Sequence, residues 1–440
     1  MNRVTTPLLT LAALSLLAGS LHAGEAEKAA ANKFLESQTA VNESILGAQT
    51  LKVRMLRQDV GSMTVNVEKG EYEGKACYVL TMKGSIEFGS KTEIDGKSYI
   101  APDMSLLHGE ETEKEDGELS KHSLYEDKNG LLIATFKQPK EEDESKRDQT
   151  FEIKPEQGLL VGSAEMLITM LLPREKGQKF EFIRWNSTAD KTYPMLVECV
   201  GSDDYNNKTV TKFIEHDKKF NEDELGNVEE VDAESTLWFD EHKLVRMNSA
   251  DGFTLESNEA PKVTPITREM IDKQDDEVTV AAGFFLAAND KDEALLKALL
   301  NEFKIVRNSL DDNPMTKGAT DEQKDELAEA YADTVVQNIM NGDGEEKTEA
   351  AKKREAAVVK LLLHKENFVA EVKDDVHTVR MSDDAAKMFG KILFTLEKTD
   401  EGKWEITGIG QVPEEEEASE TPPEKKDGDG EKKKEEEDGF

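Results

Sequence analysis

Past residue 56 the chain alternates apolar and polar positions with a period of two, the signature of half-buried strands. Met63, Val65 and Val67 alternate with polar neighbours, as do Phe151 with Ile153 and Phe180 with Phe182. Further short runs fit the same pattern at Tyr78 to Met82, Leu131 to Phe136, Met195 to Val200 and Val210 to Ile214. Leu237-Trp238-Phe239 and Leu244-Val245-Arg246-Met247 flank Asp240-Glu241-His242-Lys243, which reads as a hairpin loop. About ten or eleven such strands predict one large antiparallel sheet that curls into a half-barrel. One stretch breaks the alternation. Gly162 to Leu172 is a mostly apolar run stopped by Pro173, and it predicts a short helix laid on the concave face of the sheet.

Helical spacing flanks this sheet on both sides. Phe34, Leu35, Val41, Ile45 and Leu46 predict a helical segment over 24–56. The prolines of Ala260-Pro261-Lys262-Val263-Thr264-Pro265 mark a linker, taken as 260–274. Beyond it, helices are expected at Val278 to Ala288, Glu293 to Phe303, Thr320 to Met340 and Thr348 to about His364, the third opened by the capping box Thr320-Asp321-Glu322-Gln323. Strands then follow at Phe368 to Val372, Val376 to Met381, Lys391 to Glu397 and Lys403 to Ile409. Helices followed by a four-stranded antiparallel sheet make a separate α+β domain. The expected plan is a β-rich domain over 57–259 and an α+β domain over 275–412, of mixed β and α+β class.

The chain ends add a leader and a tail. Arg3, an apolar run from Leu8 to Leu21 and the small residue Ala23 have the order of a secretory signal peptide over 1–23. This predicts an exported protein, periplasmic or extracellular and without a membrane span. Residues 413–440 hold 13 acidic and five basic residues, with Ala418 and Phe440 the apolar ones, and are expected to be disordered.

Charge narrows the functions. Acidic residues number 93 against 56 basic ones, a formal net charge of −37, and only 37% of the 440 residues are hydrophobic. Nucleic acid and anionic membrane surfaces need clustered cations and are excluded as partners. The charge-dense segments Glu110 to Lys121, Gln138 to Gln149 and Asp217 to Glu230 read as solvated hairpin tips.

No motif fixes a reaction. Gly96-Lys97-Ser98 resembles the end of a phosphate loop, but Lys91 stands where its first glycine is required. Asn221 to Gly226 begins like a calcium loop, with Leu225 in a ligand position and Asp232 where a glutamate should close it. The histidines beyond the expected leader, at 108, 122, 216, 242, 364 and 377, have no zinc-binding spacing, so no metal and no cofactor is expected. Cys77 and Cys199 both lie in strand-like runs. Export permits a disulfide between them, and two buried free thiols fit the sequence equally well.

Two resemblances carry implications. Met166 to Trp185, with Leu-Leu-Pro-Arg-Glu-Lys-Gly followed by Phe-Glu-Phe-Ile, and Thr236-Leu237-Trp238-Phe239-Asp240 leading to Lys243-Leu244-Val245-Arg246, resemble exported bacterial proteins similar to the lipoprotein-carrier fold. That resemblance implies a curved antiparallel sheet wrapped around helices and able to hold a lipid chain. Ala281-Ala282-Gly283-Phe284-Phe285, Ala288-Asn289-Asp290-Lys291-Asp292 and Gly402-Lys403-Trp404-Glu405-Ile406 resemble the nuclear-transport-factor-two-like superfamily. This second resemblance implies a cone-like fold with a pocket between sheet and helices, found both in ketosteroid isomerases and polyketide cyclases and in binding or accessory domains. A long insertion between Phe303 and Leu363 departs from that pattern.

The expectation is therefore a non-enzymatic binding or accessory protein, its partner a small apolar ligand or an envelope protein. Met166, Leu167, Met170 and Leu171 are the candidate lining of a lipid-like pocket, and Trp404 the candidate lining of a second. One alternative is an acid–base enzyme in the second domain, drawing on Glu371, His377 and Arg380. The other is a structural envelope protein with neither pocket open.

Overall fold

The computed structural model describes residues 24–412 except 142, 223–227, 251, 260 and 342–348. The expected leader and acidic tail lie outside the described residues, as does most of the calcium-like stretch. Fifteen strands form one sheet, more than the ten or eleven expected because several long alternating runs fold back on themselves. They are β1 (Gly47–Met55), β2 (Gln58–Tyr72), β3 (Lys75–Phe88), β4 (Ser90–Ile100), β5 (Leu106–Glu115), β6 (Glu118–Asp127), β7 (Leu132–Lys137) and β8 (Asp148–Ile153) in the first half. The second half comprises β9 (Leu159–Leu160), β10 (Lys179–Asn186), β11 (Lys191–Tyr205), β12 (Lys208–Glu222), β13 (Val228–Asp240), β14 (Lys243–Asn248) and β15 (Phe253–Glu256). The spatial order runs β8 to β1, then β15 to β9, so β1 sits mid-sheet between β2 and β15.

The sheet curls without closing into a barrel. Phe151 on β8 and Phe136 on β7 reach Trp185 on β10 with ring centroids 5.3 and 6.1 Å apart, so side chains approach across the margins that hydrogen bonds do not join. All neighbours are antiparallel except β9 and β10. These two flank the helix α3 (Ala164–Leu171), and a crossover helix is what a parallel pair requires.

The expected helical segment over 24–56 requires correction. Helix α1 spans 24–37 only, and the short helix α2 (Glu144–Arg147) is a separate turn in the β7–β8 connection. Gly47–Met55 is strand, with Leu51 and Val53 buried on alternate positions and hydrogen-bonded neighbours on both sides. Pairing on two edges outweighs the weak helical spacing of Val41, Ile45 and Leu46. Helix α1 buries Ala31 and Leu35 on the first core, where Phe34 meets Phe180 edge to face at 5.9 Å.

The second part holds α4 (Arg268–Lys273), α5 (Glu277–Asp290), α6 (Glu293–Leu299), α7 (Glu302–Asp312), α8 (Asp321–Asn341), α9 (Glu349–Leu362) and α10 (Asp383–Phe389). Its four-stranded antiparallel sheet runs β16 (Phe368–Lys373), β17 (Val376–Met381), β18 (Ile392–Lys398) and β19 (Trp404–Gln411) in that order. The helices expected over Val278 to Ala288, Thr320 to Met340 and up to about His364 are found, while the one expected over Glu293 to Phe303 stops at Leu299, because Leu300 turns extended and bridges to Ile406. The additional ones, α4, α7 and α10, are capped by Thr267, Asn301 and Ser382, whose side chains accept from backbone amides. The stretch expected to be a linker is pinned down: Ile266 and Ile271 are buried in the second core, and the Ile266 amide donates to the Leu363 carbonyl.

Two hydrophobic clusters result, one inside the large sheet and one between α5, α6 and the small sheet. Leu361 on α9 packs against both. Leu56, at the tip of the β1–β2 hairpin, is buried in the second cluster rather than the first.

Candidate functional site

Helix α3 is the element that makes a site. Its run Ala-Glu-Met-Leu-Ile-Thr-Met-Leu has one charged residue, Glu165, and buries Ala164, Leu167, Ile168, Thr169, Met170 and Leu171. A helix so apolar must be covered on most of its circumference, and the concave sheet does this. Its C-terminus is satisfied from outside. The Arg174 guanidinium donates to the Thr169 and Met170 carbonyls at 3.2 and 3.0 Å, and a ring nitrogen of His242 lies 2.8 Å from the Met170 carbonyl. Arg174 also lies over the Phe213 and Phe239 rings, and burial pulls its pKa down to about 10.

Between α3 and the sheet lies a cavity of about 320 Å3. Met166, Thr169 and Met170 form its helix wall, and Leu51, Val65, Leu237, Phe239, Leu244, Met247, Phe253 and Leu255 its sheet wall. One end is charged: Glu165, Arg184, Glu215, Asp217 and Lys219. Arg184 pairs with Glu165 and Asp217 and lies 4.0 Å from Glu215. Burial pushes the Glu165 carboxyl up to about 7 against the pull of Arg184, and likewise raises Glu215. Burial alone would lower the pKa of Arg184, but the carboxylates of Glu165 and Asp217 outweigh it and the net shift is upward. Burial also raises Tyr193, whose hydroxyl is hydrogen-bonded to Asp217. An apolar cavity with a few convergent, perturbed polar groups is the usual anatomy of a small-molecule site.

A second cavity of about 290 Å3 lies on the other flank of the first turn of α3. It is more polar, with Ser98, Ser123, Ser163, Tyr125, Glu110, Glu111 and Lys121 in its wall, and it shares Glu165 and Met166 with the first. A cavity of about 580 Å3 lies elsewhere, between the large sheet and Asp384 of α10. Its central side chain, Arg54, is 3% exposed and already paired with Asp59 at 2.6 Å and with Glu256, so its charge is internally spent. Of the three, the α3 cavity has the most apolar enclosure and is the strongest candidate.

The sequence-derived candidates divide. Met166 and Met170 line the α3 cavity. Leu167 and Leu171 face the first core, where they hold the helix against the sheet. Trp404 is buried in the second core, 4.6 Å from the His377 ring and beneath Lys398. Among the enzyme candidates, Glu371 is half-exposed and bound to Arg380 at 3.0 Å, while His377 meets Glu277 at 2.7 Å. The candidate cysteines are both buried and free, Cys77 on β3 and Cys199 on β11, with six strands between those two in the sheet order. Among the described residues, no group of three or more His, Cys, Asp or Glu side chains is arranged to hold a metal ion.

The charged end of the cavity was missed from sequence, although a signal exists. Phe180, Phe182 and Arg184 share one face of β10, and Phe213, Glu215, Asp217 and Lys219 share one face of β12. Phe182 and Phe213 are fully buried, so in both strands the inward face changes from apolar to charged within a few residues.

No family model matches the sequence, and no curated protein matches it. A solved structure, described as a beta-barrel-like protein of a domain of unknown function, DUF1849, from Brucella abortus, aligns with 48% of this chain and 95% of its own length. The identity is 12% and the TM-score 0.31. No described helix is long and apolar enough to cross a membrane.

Proposed function

We propose that this is an exported, non-enzymatic binding protein that holds an apolar, lipid-like ligand in the cavity beneath α3. The observation that carries the reading is the cavity itself, about 320 Å3, walled by Met166, Met170 and the concave sheet, with Glu165 and Asp217 gathered around Arg184. Its volume falls at the lower end of the roughly 300–1,000 Å3 of ligand pockets, the size of a single short chain rather than of a bulky lipid. The methionines suit the role, because an unbranched thioether adapts to chains of different shape. Export rests on the order of charges and apolar residues at the start of the chain. The second unit, in which α5 packs on the four-stranded sheet, serves as an accessory module packed against the first.

The test is a titration of the full chain with an apolar, environment-sensitive fluorophore. We expect saturable enhancement at one site per chain, abolished by Met170→Trp, which fills the cavity, and retained in Trp404→Phe. Absence of enhancement, or enhancement unchanged in Met170→Trp, would refute the assignment.

A further inference from the structure

The two cavities flanking α3 are not independent, because Glu165 and Met166 belong to the walls of both. That shared wall is the first turn of the helix, and a ligand tail in the apolar chamber would bring its head to Glu165. The charge there is unbalanced. On the apolar side Glu165, Glu215 and Asp217 share Arg184 and Lys219, and the Lys219 ammonium is 2.7 Å from the Ala250 carbonyl. On the polar side Glu111 joins Glu165 against Lys121, while Glu110 is exposed and pairs with His122 at 3.0 Å. Four carboxylates, Glu165, Glu215, Asp217 and Glu111, therefore face three cations around the two chambers, and hydroxyls of Ser98, Ser123 and Ser163 supply further acceptors. A group that brings another negative charge meets repulsion in a partly desolvated setting, while a cation supplies the missing partner.

We propose that the site takes a single-chain amphiphile with a protonated amine at its head, the tail between α3 and the sheet and the ammonium beside Glu165. This rests on the α3 cavity being a ligand site. Burial raises the carboxyls of Glu165, Glu215 and Glu111, so each accepts a neighbouring cation with a gain that a solvated carboxylate would not provide.

Three probes of one chain length separate head chemistry from tail burial: decylamine, decanol and decanoate. Each is used to displace the apolar fluorophore from the full chain at about pH 8, where the amine is protonated and the acid ionised. High salt, with a Debye length of only about 3 Å at 1 M, removes the general attraction of an acidic surface for cations. We expect decylammonium to bind at least tenfold more tightly than decanoate, with decanol between them. Glu165→Gln and, independently, Glu215→Gln should each narrow the gap between decylammonium and decanoate severalfold, with decylammonium losing more affinity than decanol. Equal affinities, a tighter decanoate, or a gap indifferent to both variants overturns the cationic head while leaving an apolar site in place. If none of the three displaces the fluorophore, the ligand site itself is refuted and the inference with it.

Discussion

Arg184 and Glu165 hold opposite ends of one balance. Arg184 is surrounded by Glu165, Asp217 and Glu215, and its removal would leave three carboxylates without their shared guanidinium. Arg184→Met should therefore cost about 3–5 kcal/mol of unfolding free energy, measured by denaturant titration at neutral pH, and less in acid where carboxyls take up protons. Glu165 works in the other direction. Its carboxyl is raised from 4.5 to about 7, so the folded chain binds that proton more tightly than the unfolded one. The stability this provides is complete below about pH 4.5 and disappears as the pH rises through about 7. Glu165→Gln mimics the protonated form, so its thermal midpoint should match the parent near pH 5 and exceed it near pH 8, by a margin on the order of 3 kcal/mol at most. A variant less stable than the parent at pH 8 would mean that the pair with Arg184 outweighs the burial of the charge.

Among the elements, α3 and the β1–β2 hairpin show what the sequence did and did not disclose. The apolar run that ends at Pro173 identified α3 directly, because a short helix without a polar face has to lie inside something. Which face of it would meet a cavity was not legible. Met166 and Met170 are on that face while Leu167 and Leu171 are in the core, and this division depends on how far the sheet curls. The charged end depended on β10 and β12 being brought together with α3, a long-range arrangement that no local pattern encodes. The hairpin was obscured for a different reason. Leu56 and Arg57 turn the chain with φ of 47° and 68°, a conformation usually given to glycine or asparagine, so no turn signal marks the position. The helical spacing upstream then ran on across it. Leu56 is retained there because it is 3% exposed in the second core, and the Gln58 amide beside it donates to the Leu361 carbonyl at 2.9 Å. Leu56→Ala should destabilise by about 2–5 kcal/mol, and the loss should appear in the thermal transition of the second unit, although Leu56 lies in a strand connection of the first. Gly283 on α5 is the complementary case. A β-carbon there would stand 2.6 Å from Cγ2 of Ile271 and 3.1 Å from Cδ1 of Leu299, so Gly283→Ala should lose about 1–3 kcal/mol by overpacking, reduced by the roughly 1 kcal/mol that alanine gains in helix propensity.

For the whole molecule, the large sheet is a wall and α3 covers its concave face. Without α3 the concave face would be open, and apolar side chains of β1, β2 and β13 to β15 would face water. With it, most of the face becomes core and a remainder becomes a largely apolar chamber that also holds the Arg184 ion pairs. The second unit is joined to the first by Leu56, by Leu361 and by the Arg354–Glu115 pair at 3.2 Å, yet it keeps its own hydrophobic cluster. That separation locates the central claim in one part of the molecule and provides an internal control in the other. Met166, Met170 and Met247 line the α3 cavity, and Met381 is buried in the second core. The most direct measurement is a titration of decanol into the full chain labelled at its methionine methyl groups, followed by NMR. The account predicts saturable shifts of the Met166, Met170 and Met247 resonances with Met381 unmoved; no shift at the three lining methionines, or an equal shift at Met381, would contradict it.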